Sequence, residues 1–259
     1  MNSHQERYDF AIEIAEKLAA YQREFNAPDL HIEKKEDRTP VTEADKKSEA
    51  MFREAVAKRF PDDLIFGEEE DGAESAKTRW VLDPIDGTRK FMRGLPFWGI
   101  CIAFEEDGEV QLGVIAVPAQ NKIYAAQKGR GAYLNGKRIT IDNSITSIED
   151  AFVTMPPRNA FVSINAEGVF DAFQNNIEHD PGFLDAFSYG MVADGRIHGL
   201  VSCCDKWWDI AAAVCIVEEA GGVFKSIEGE KPNESTINIA TTPELFESLS
   251  SFAKKSLMS

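Results

Sequence analysis

Basic residues are scarce in this chain. Its 259 residues hold 28 Lys and Arg against 44 Asp and Glu, a formal net charge of −16. Such a surface repels a phosphate backbone, which argues against nucleic acid as a partner. It says less about a small phosphorylated metabolite, because a bound cation inverts the sign of a site locally. Cysteine is rare too. The four present (Cys101, Cys203, Cys204, Cys215) show no Cys-x-x-Cys spacing and read as buried free thiols in a reducing compartment, not as a disulfide framework. The four histidines (His4, His31, His179, His198) are scattered, without metal-like pairing. No apolar run approaches the ~18 residues of a membrane span, and the polar opening Met1–Arg7 does not read as a secretory signal. No membrane role is expected, and a cytoplasmic location is. A Gly-x-Ser-x-Gly elbow is missing, so a serine-hydrolase triad is unsupported. Gly131–Arg138 nearly spells a P-loop, but Arg138 stands where Ser or Thr is required and the context is strand-turn-strand.

What is present is an ordinary globular composition, 43% hydrophobic and 28% charged, too apolar for a disordered chain. The length fits one large domain or two intimately packed ones. Without repeats or linkers, a single domain over residues 1–259 is expected, with a soft junction near residue 150. Phe10, Ala11, Ile14, Ala15 and Leu18 recur at helical spacing and predict a helix from about Glu6 to Phe25. The polar stretch Lys34–Pro40 reads as a loop, and a second helix starts at Thr42 and runs toward Pro61. Short strands follow at Leu64–Phe66 and Trp80–Leu82, each running into an acidic loop. Gly99–Phe104 and Val110–Val117 form a hairpin around Asp107-Gly108, and Asn135-Gly136 marks another tight turn. The second half opens with a strand-like Ala151–Thr154, then helices over Ala166–Asn175 and Asp185–Ala193. Ile210–Val217, apolar on every side, predicts a buried helix closed by Gly221-Gly222, and Thr242-Pro243 starts the last helix. Trp207-Trp208 reads as core or pocket wall.

Chemistry concentrates in Trp80-Val81-Leu82-Asp83-Pro84-Ile85-Asp86-Gly87-Thr88. An apolar strand delivers two aspartates, separated by a rigid proline and closed by a Gly-Thr turn. Carboxylates held close repel each other and persist only when protons or cations neutralise them; hard divalent cations are the natural partners. Gly87 permits close backbone approach, and the amides after it can face an anion if a helix starts there. Taken alone, an Asx-type turn explains the same residues. Upstream, Ile65-Phe66-Gly67 runs into Glu68-Glu69-Glu70-Asp71, either a solvated charge run or a strand end aiming at least one Glu inward. Asp209, where the buried helix begins, fits an N-cap, and Asp45 stands fourth in a capping-box-like start from Thr42. Singly, each is ordinary.

Together they resemble the inositol monophosphatase superfamily of metal-dependent, lithium-sensitive phosphatases. The likeness rests on Pro40–Asp45, Gly67-Glu68-Glu69, Asp83–Thr88, Trp208–Ala212 and Glu219–Gly222, in the family's order and spacing, and covers about residues 6–250. It implies an α+β fold, the layered αβαβα sandwich shared with fructose-1,6-bisphosphatase, and phosphomonoester hydrolysis by metal-activated water. Residue by residue, it implies that Glu68, Asp83 and the Ile85 carbonyl hold one Mg²⁺ and that Asp83, Asp86 and Asp209 hold a second. A third, weaker ion belongs near Glu68, and Mn²⁺ is able to substitute. Thr88, supported by Asp45, would orient and help deprotonate the attacking water. Amides of Gly87 and Thr88 would hold phosphate oxygens, with Glu69 assisting from behind. Glu68, Ile85, Asp86, Gly87, Thr88, Asp185 and Asp209 would line the substrate site. Inhibition by Li⁺ and a homodimer are further implications.

Within the superfamily, Asp86-Gly87-Thr88-Arg89-Lys90-Phe91, Gly94–Gly99 and Lys35–Asp45 look most like the histidinol-phosphatase branch, in which Asp185 falls at a substrate-facing Asp. L-Histidinol phosphate is therefore the expected substrate, and a role in histidine biosynthesis goes with it. myo-Inositol monophosphate is the alternative, with fructose 1,6-bisphosphate and adenosine 3′,5′-bisphosphate behind it. Two departures touch the leaving-group pocket: Ser202 stands where both branches usually carry Glu, and Phe183-Leu184 replaces a usual Gly-Gly before Asp185. A rival from another class is a non-catalytic metal- or sugar-phosphate-binding regulator on the same fold. It would have lost a ligand or the water-activating pair, whereas Asp45, Glu68, Asp83, Asp86, Thr88 and Asp209 are all present.

Overall fold

In a computed structural model that describes residues 4–25, 32–34, 40–70, 72–177 and 179–257, helix α1 (His4–Gln22) forms on the apolar stripe and buries Phe10, Ala11, Ile14, Ala15 and Leu18. It ends at Gln22, short of Phe25, because the last residues tighten into turn bonds such as Glu24 N–H to Tyr21 O and Phe25 N–H to Gln22 O. Strands β1 (Ile32–Lys34) and β2 (Pro40–Thr42) pair antiparallel. They take the two ends of the expected loop, whose middle (35–39) lies outside the described residues. Helix α2 (Glu43–Arg59) starts on a true capping box: the Thr42 hydroxyl accepts from Ala44 and Asp45 amides, and Asp45 accepts from the Thr42 amide.

A seven-stranded sheet follows in chain order: β3 (Ile65–Gly67), β4 (Arg79–Asp86), β5 (Gly99–Glu106), β6 (Glu109–Val117), β7 (Lys122–Gln127), β8 (Gly131–Leu134) and β9 (Lys137–Ile139). Only β3 and β4 run parallel; the other neighbours are antiparallel. Asp107-Gly108 and Asn135-Gly136 both have positive φ at each residue, the mirror-image turn that matches strand twist. A strand, not a helix, follows Gly136, which removes the P-loop reading.

Beyond a short helix α3 (Thr88–Phe91), the rest of the chain supplies α4 (Arg158–Ser163), α5 (Glu167–Asn176), α6 (Ala186–Ala193), α7 (Trp207–Glu219) and α8 (Pro243–Leu257). A second sheet has the order β10 (Val153–Thr154), β11 (Gly199–Ser202), β13 (Asn238–Thr241), β12 (Val223–Ser226). The layers follow from what each face buries. α1 and α2 cover one face of the large sheet around Trp80, Leu82, Ile102 and Val114. α6 and α7 cover the other face and carry the small sheet on their far side. α5 and α8 close the small sheet's outer face around Phe173 and Leu249. The result is an α+β sandwich in αβαβα order. α7 lies in the middle layer between two sheets, which is why Ile210–Val217 has no polar side. It ends in a Schellman turn, with Gly222 N–H to Val217 O at 2.9 Å and Gly221 N–H to Glu218 O at 3.0 Å.

The cysteine expectation needs one correction. Cys101, Cys203 and Cys215 are buried and free, but Cys204 is exposed, on a loop residue with positive φ. Among the described residues no helix is long and apolar enough to cross a membrane.

Candidate active site

Strand β4 does not stop at Leu82, as the sequence pattern suggests, but continues through both aspartates. Its ladder to β5 pairs Asp83 with Cys101 and then Asp86 with Gly99, so Pro84 and Ile85 together face Ile100. That is a β-bulge, one of the few places inside a sheet that tolerates a residue without an N–H. The bulge is fixed from three directions. Asp83 Oδ1 accepts the Ile85 amide at 2.8 Å, and Gln22 Nε2 donates to the Pro84 carbonyl at 2.8 Å. The Ile85 side chain is buried with Ala44, Phe91 and Trp98.

Gly87 then turns with φ +86°, and a Cβ there would stand 2.5 Å from Asp185 Oδ2. Only glycine meets both demands, the left-handed backbone and the close approach. Helix α3 starts at the next residue, Thr88. Its hydroxyl lies 3.0 Å from the Ile85 carbonyl and 3.4 Å from Asp45 Oδ1, so one proton has two acceptors within reach. Asp45 is fully buried, and its other oxygen accepts the Thr42 amide at 2.9 Å and the Thr42 hydroxyl. Burial outweighs those hydrogen bonds and, with Glu68 nearby, pushes the Asp45 carboxyl up to about 6.

Asp209 is not the N-cap the sequence suggests. α7 begins upstream at Trp207, Lys206 is the N-cap, and Asp209 is the third helical residue, its Oδ2 accepting the Lys206 amide at 2.7 Å. That bond holds its carboxylate over the helix N-terminus and turned toward β4. Ligand oxygens of Asp83, Asp86 and Asp209 all lie within 4.8 Å of one another. Asp86 also accepts the Ala186 amide at the start of α6. Burial first drives all three carboxyls well above the usual range, and the largest neighbouring charge that adds to it is Glu68 at Asp83, Asp185 at Asp86 and Asp205 at Asp209. Crowded and all-oxygen, this donor set fits a hard divalent cation such as Mg²⁺ or Mn²⁺, whose charge would offset the repulsion that ionisation brings.

Glu68 and Glu69 follow β3, both half-buried, and are held by a residue with no signal of its own in the sequence. Glu49 is fully buried; it accepts the Glu69 amide at 2.8 Å, the Glu70 amide at 3.1 Å and Arg53 Nη2 at 2.7 Å. A Cβ on Gly67 would stand 2.3 Å from its Oε1. The available clue was spacing: Glu49 lies one helical turn beyond Asp45 on the buried face of α2.

Asp185 caps α6 with φ +49° and ψ −138°, a backbone state rare outside glycine. It forms an ion pair with Lys90, whose ammonium also sits 5.4 Å from the Phe183 ring centre. Burial raises the Asp185 carboxyl while Lys90 opposes the shift. Glu68, Gly87, Thr88, Arg89, Lys90 and Asp185 share the wall of one cavity of about 720 Å³, enough for a small metabolite. A larger hollow of about 1040 Å³, between α1 and the β7–β8 edge, includes none of these residues.

A family model of the inositol monophosphatase family matches residues 3–256. The chain belongs to the inositol monophosphatase family. The family's histidinol-phosphatase from Chlorobaculum parvum is 38% identical to it over 230 residues, covering 85% of this chain and 86% of that protein. The fructose-1,6-bisphosphatase/inositol-1-monophosphatase of Thermotoga maritima is 32% identical over 235 residues, 90% of each. The solved structure of a Thermotoga maritima IMPase superposes with a TM-score of 0.88 at 29% identity, over 97% of this chain and 98% of that one. As a member of the inositol monophosphatase family, the chain is a phosphoric monoester hydrolase.

Proposed function

We propose that this metal-dependent phosphatase hydrolyses a small phosphomonoester whose leaving alcohol carries a cationic amino group, L-histidinol phosphate in particular. The observation that supports this substrate is the 38% identity to a histidinol-phosphatase along 85% of the chain. Asp185 lines the same cavity, with its carboxylate ion-paired to Lys90. Asp83, Asp86 and Asp209 would hold one divalent cation, and Glu68, Asp83 and the Ile85 carbonyl another. Mg²⁺ at such a site lowers the pKa of water, neutralises phosphoryl oxygens and stabilises the departing alkoxide.

The chain's own groups supply the proton path. Thr88 Oγ1 accepts a hydrogen bond from the attacking water as its own proton moves toward Asp45 Oδ1. An Asp45 carboxyl held near 6 is ionised at neutral pH yet basic enough to receive that proton. The amides of Gly87 and Thr88 hold the phosphate oxygens, and Arg89 and Lys90 line the same cavity with positive charge. Glu49 keeps the Glu68-Glu69 segment in register.

A phosphate-release panel tests the substrate. L-Histidinol phosphate should exceed inositol 1-phosphate, fructose 1,6-bisphosphate and adenosine 3′,5′-bisphosphate in kcat/KM by roughly tenfold or more. Inositol 1-phosphate in first place overturns the choice; the Thermotoga maritima relative gives that outcome its standing. Glu49→Gln checks the supporting shell. It keeps one acceptor for two amides and unpairs Arg53, so half-maximal activity should need ~10-fold more Mg²⁺. An unchanged Mg²⁺ titration would mean that Glu49 only packs.

A further inference from the structure

Gln22 interrupts the apolar stripe of α1. It stands one turn beyond Leu18, on the face that buries Ala15, Leu18 and Ala19, and it is itself fully buried. Packing alone asks for an apolar side chain there, because a buried glutamine forfeits both hydration and rotamer freedom. Its amide group explains the choice. Nε2 carries two protons, and it donates to the Pro84 carbonyl at 2.8 Å and to the hydroxyl of Ser48 on α2 at 3.0 Å. Ser48 is fully buried as well, on the same face of α2 as Asp45. Among the described residues no group donates to Gln22 Oε1. The position is used for its two donors.

The Pro84 carbonyl is one end of a peptide group whose other end is the Ile85 amide, and that amide donates to Asp83 Oδ1 at 2.8 Å. A peptide group is planar and nearly rigid, so holding its C=O from α1 fixes the direction in which its N–H meets the Asp83 carboxylate. The sheet gives this peptide little guidance, because the β4–β5 register shifts between Asp83 and Asp86 and a bulge locally disrupts the ladder. A side chain from another layer supplies what the neighbouring strand does not. The path from Ser48 through Gln22 and the 84–85 peptide to Asp83 is buried along its whole length.

We infer that Gln22 is a positioning residue for the cation centre: it orients the 84–85 peptide and through it the Asp83 carboxylate, and Ser48 aims Gln22 in turn. This role rests on the reading of Asp83 as a cation ligand and extends it to a helix that supplies no ligand.

Gln22→Met keeps the length and apolar contacts of the side chain and deletes both donors; Ser48→Ala deletes only the group that aims it. Both are compared with wild type and Asp83→Asn as full-length proteins at pH 8. One readout is the Mg²⁺ concentration that gives half of the maximal rise in melting temperature, and the other is the concentration for half-maximal hydrolysis of p-nitrophenyl phosphate. Gln22→Met should raise both ~10-fold and Ser48→Ala roughly threefold. A glutamine that only packs would lower the melting temperature and leave both concentrations in place, so Mg²⁺ titrations within about twofold of wild type for a folded Gln22→Met overturn the inference. If Gln22→Met does not fold, Ser48→Ala decides, and an unchanged titration again overturns it. Asp83→Asn separates the two failures. If it too titrates like wild type, the cation assignment has failed; if it loses the Mg²⁺ response while Gln22→Met retains it, only the positioning role has.

Discussion

Asp83→Asn should lower kcat by at least about 10³-fold and, without metal at pH 8, give a protein that melts higher than wild type. Both halves come from one position. Asp83 is 2% exposed, and burial first, then the charges of Glu68, Asp86 and Asp209, oppose its ionisation. It is also the only residue assigned to both cation positions, so its loss empties the centre of the arrangement. The substitution is nearly isosteric, and the Asn Oδ1 can still accept the Ile85 amide that holds the bulge. Removing a negative charge from a buried, like-charged cluster relieves ~1 kcal/mol or more in the metal-free state, a rise of roughly 2–4 °C per kcal/mol for a chain this long. Turnover near wild type would sink the cation assignment. Lost turnover with a lower metal-free melting temperature would show that Asp83 serves the fold rather than the charge cluster.

The parts of this site that were legible in the sequence are those written within one short segment. The stripe Phe10–Leu18 gave α1, the Asp107-Gly108 pair gave the β5–β6 hairpin, and Asp83–Thr88 marked the segment that holds two of the three clustered carboxylates. What escaped was set by partners distant along the chain. Pro84 looks like the end of a strand, and only pairing with β5 turns it into a bulge that keeps Asp86 in the sheet. Asp209 looks like an N-cap because Lys206 has no capping side chain, yet the helix starts earlier to bury Trp207 and Trp208 against the core. Lys90 and Asp185 are 95 positions apart, and Gln22 and Pro84 are 62 apart. Glu49 hides among the charges of α2 because its burial depends on the amides of the Glu69-Glu70 turn. No local pattern encodes such contacts, since each residue type is equally at home on a solvated face.

Mg²⁺ should raise the melting temperature more as pH rises, and the sign follows from the same carboxyls. In the folded, metal-free protein, Asp83, Asp86 and Asp209 hold protons to a pH well above 3.8, the ordinary carboxyl value that the unfolded chain returns to. Between those limits the folded state binds more protons than the unfolded one, so metal-free stability falls as pH rises through the window. A divalent cation needs the ionised carboxylates, competes with their protons and restores what ionisation removes. Melting curves at pH 5, 6.5 and 8, each with and without roughly 10 mM MgCl₂, should show little Mg²⁺ effect at pH 5. At pH 8 the rise should reach roughly 5–10 °C, the size expected when ligand exceeds its Kd about 100-fold. Asp83→Asn should flatten this dependence, because it removes one of the buried carboxyls that hold those protons. A Mg²⁺ shift equal at all three pH values would place the ion on ordinary surface acids instead. The excess of acidic residues supplies many of those, but they are already ionised by pH 5 and cannot generate the slope.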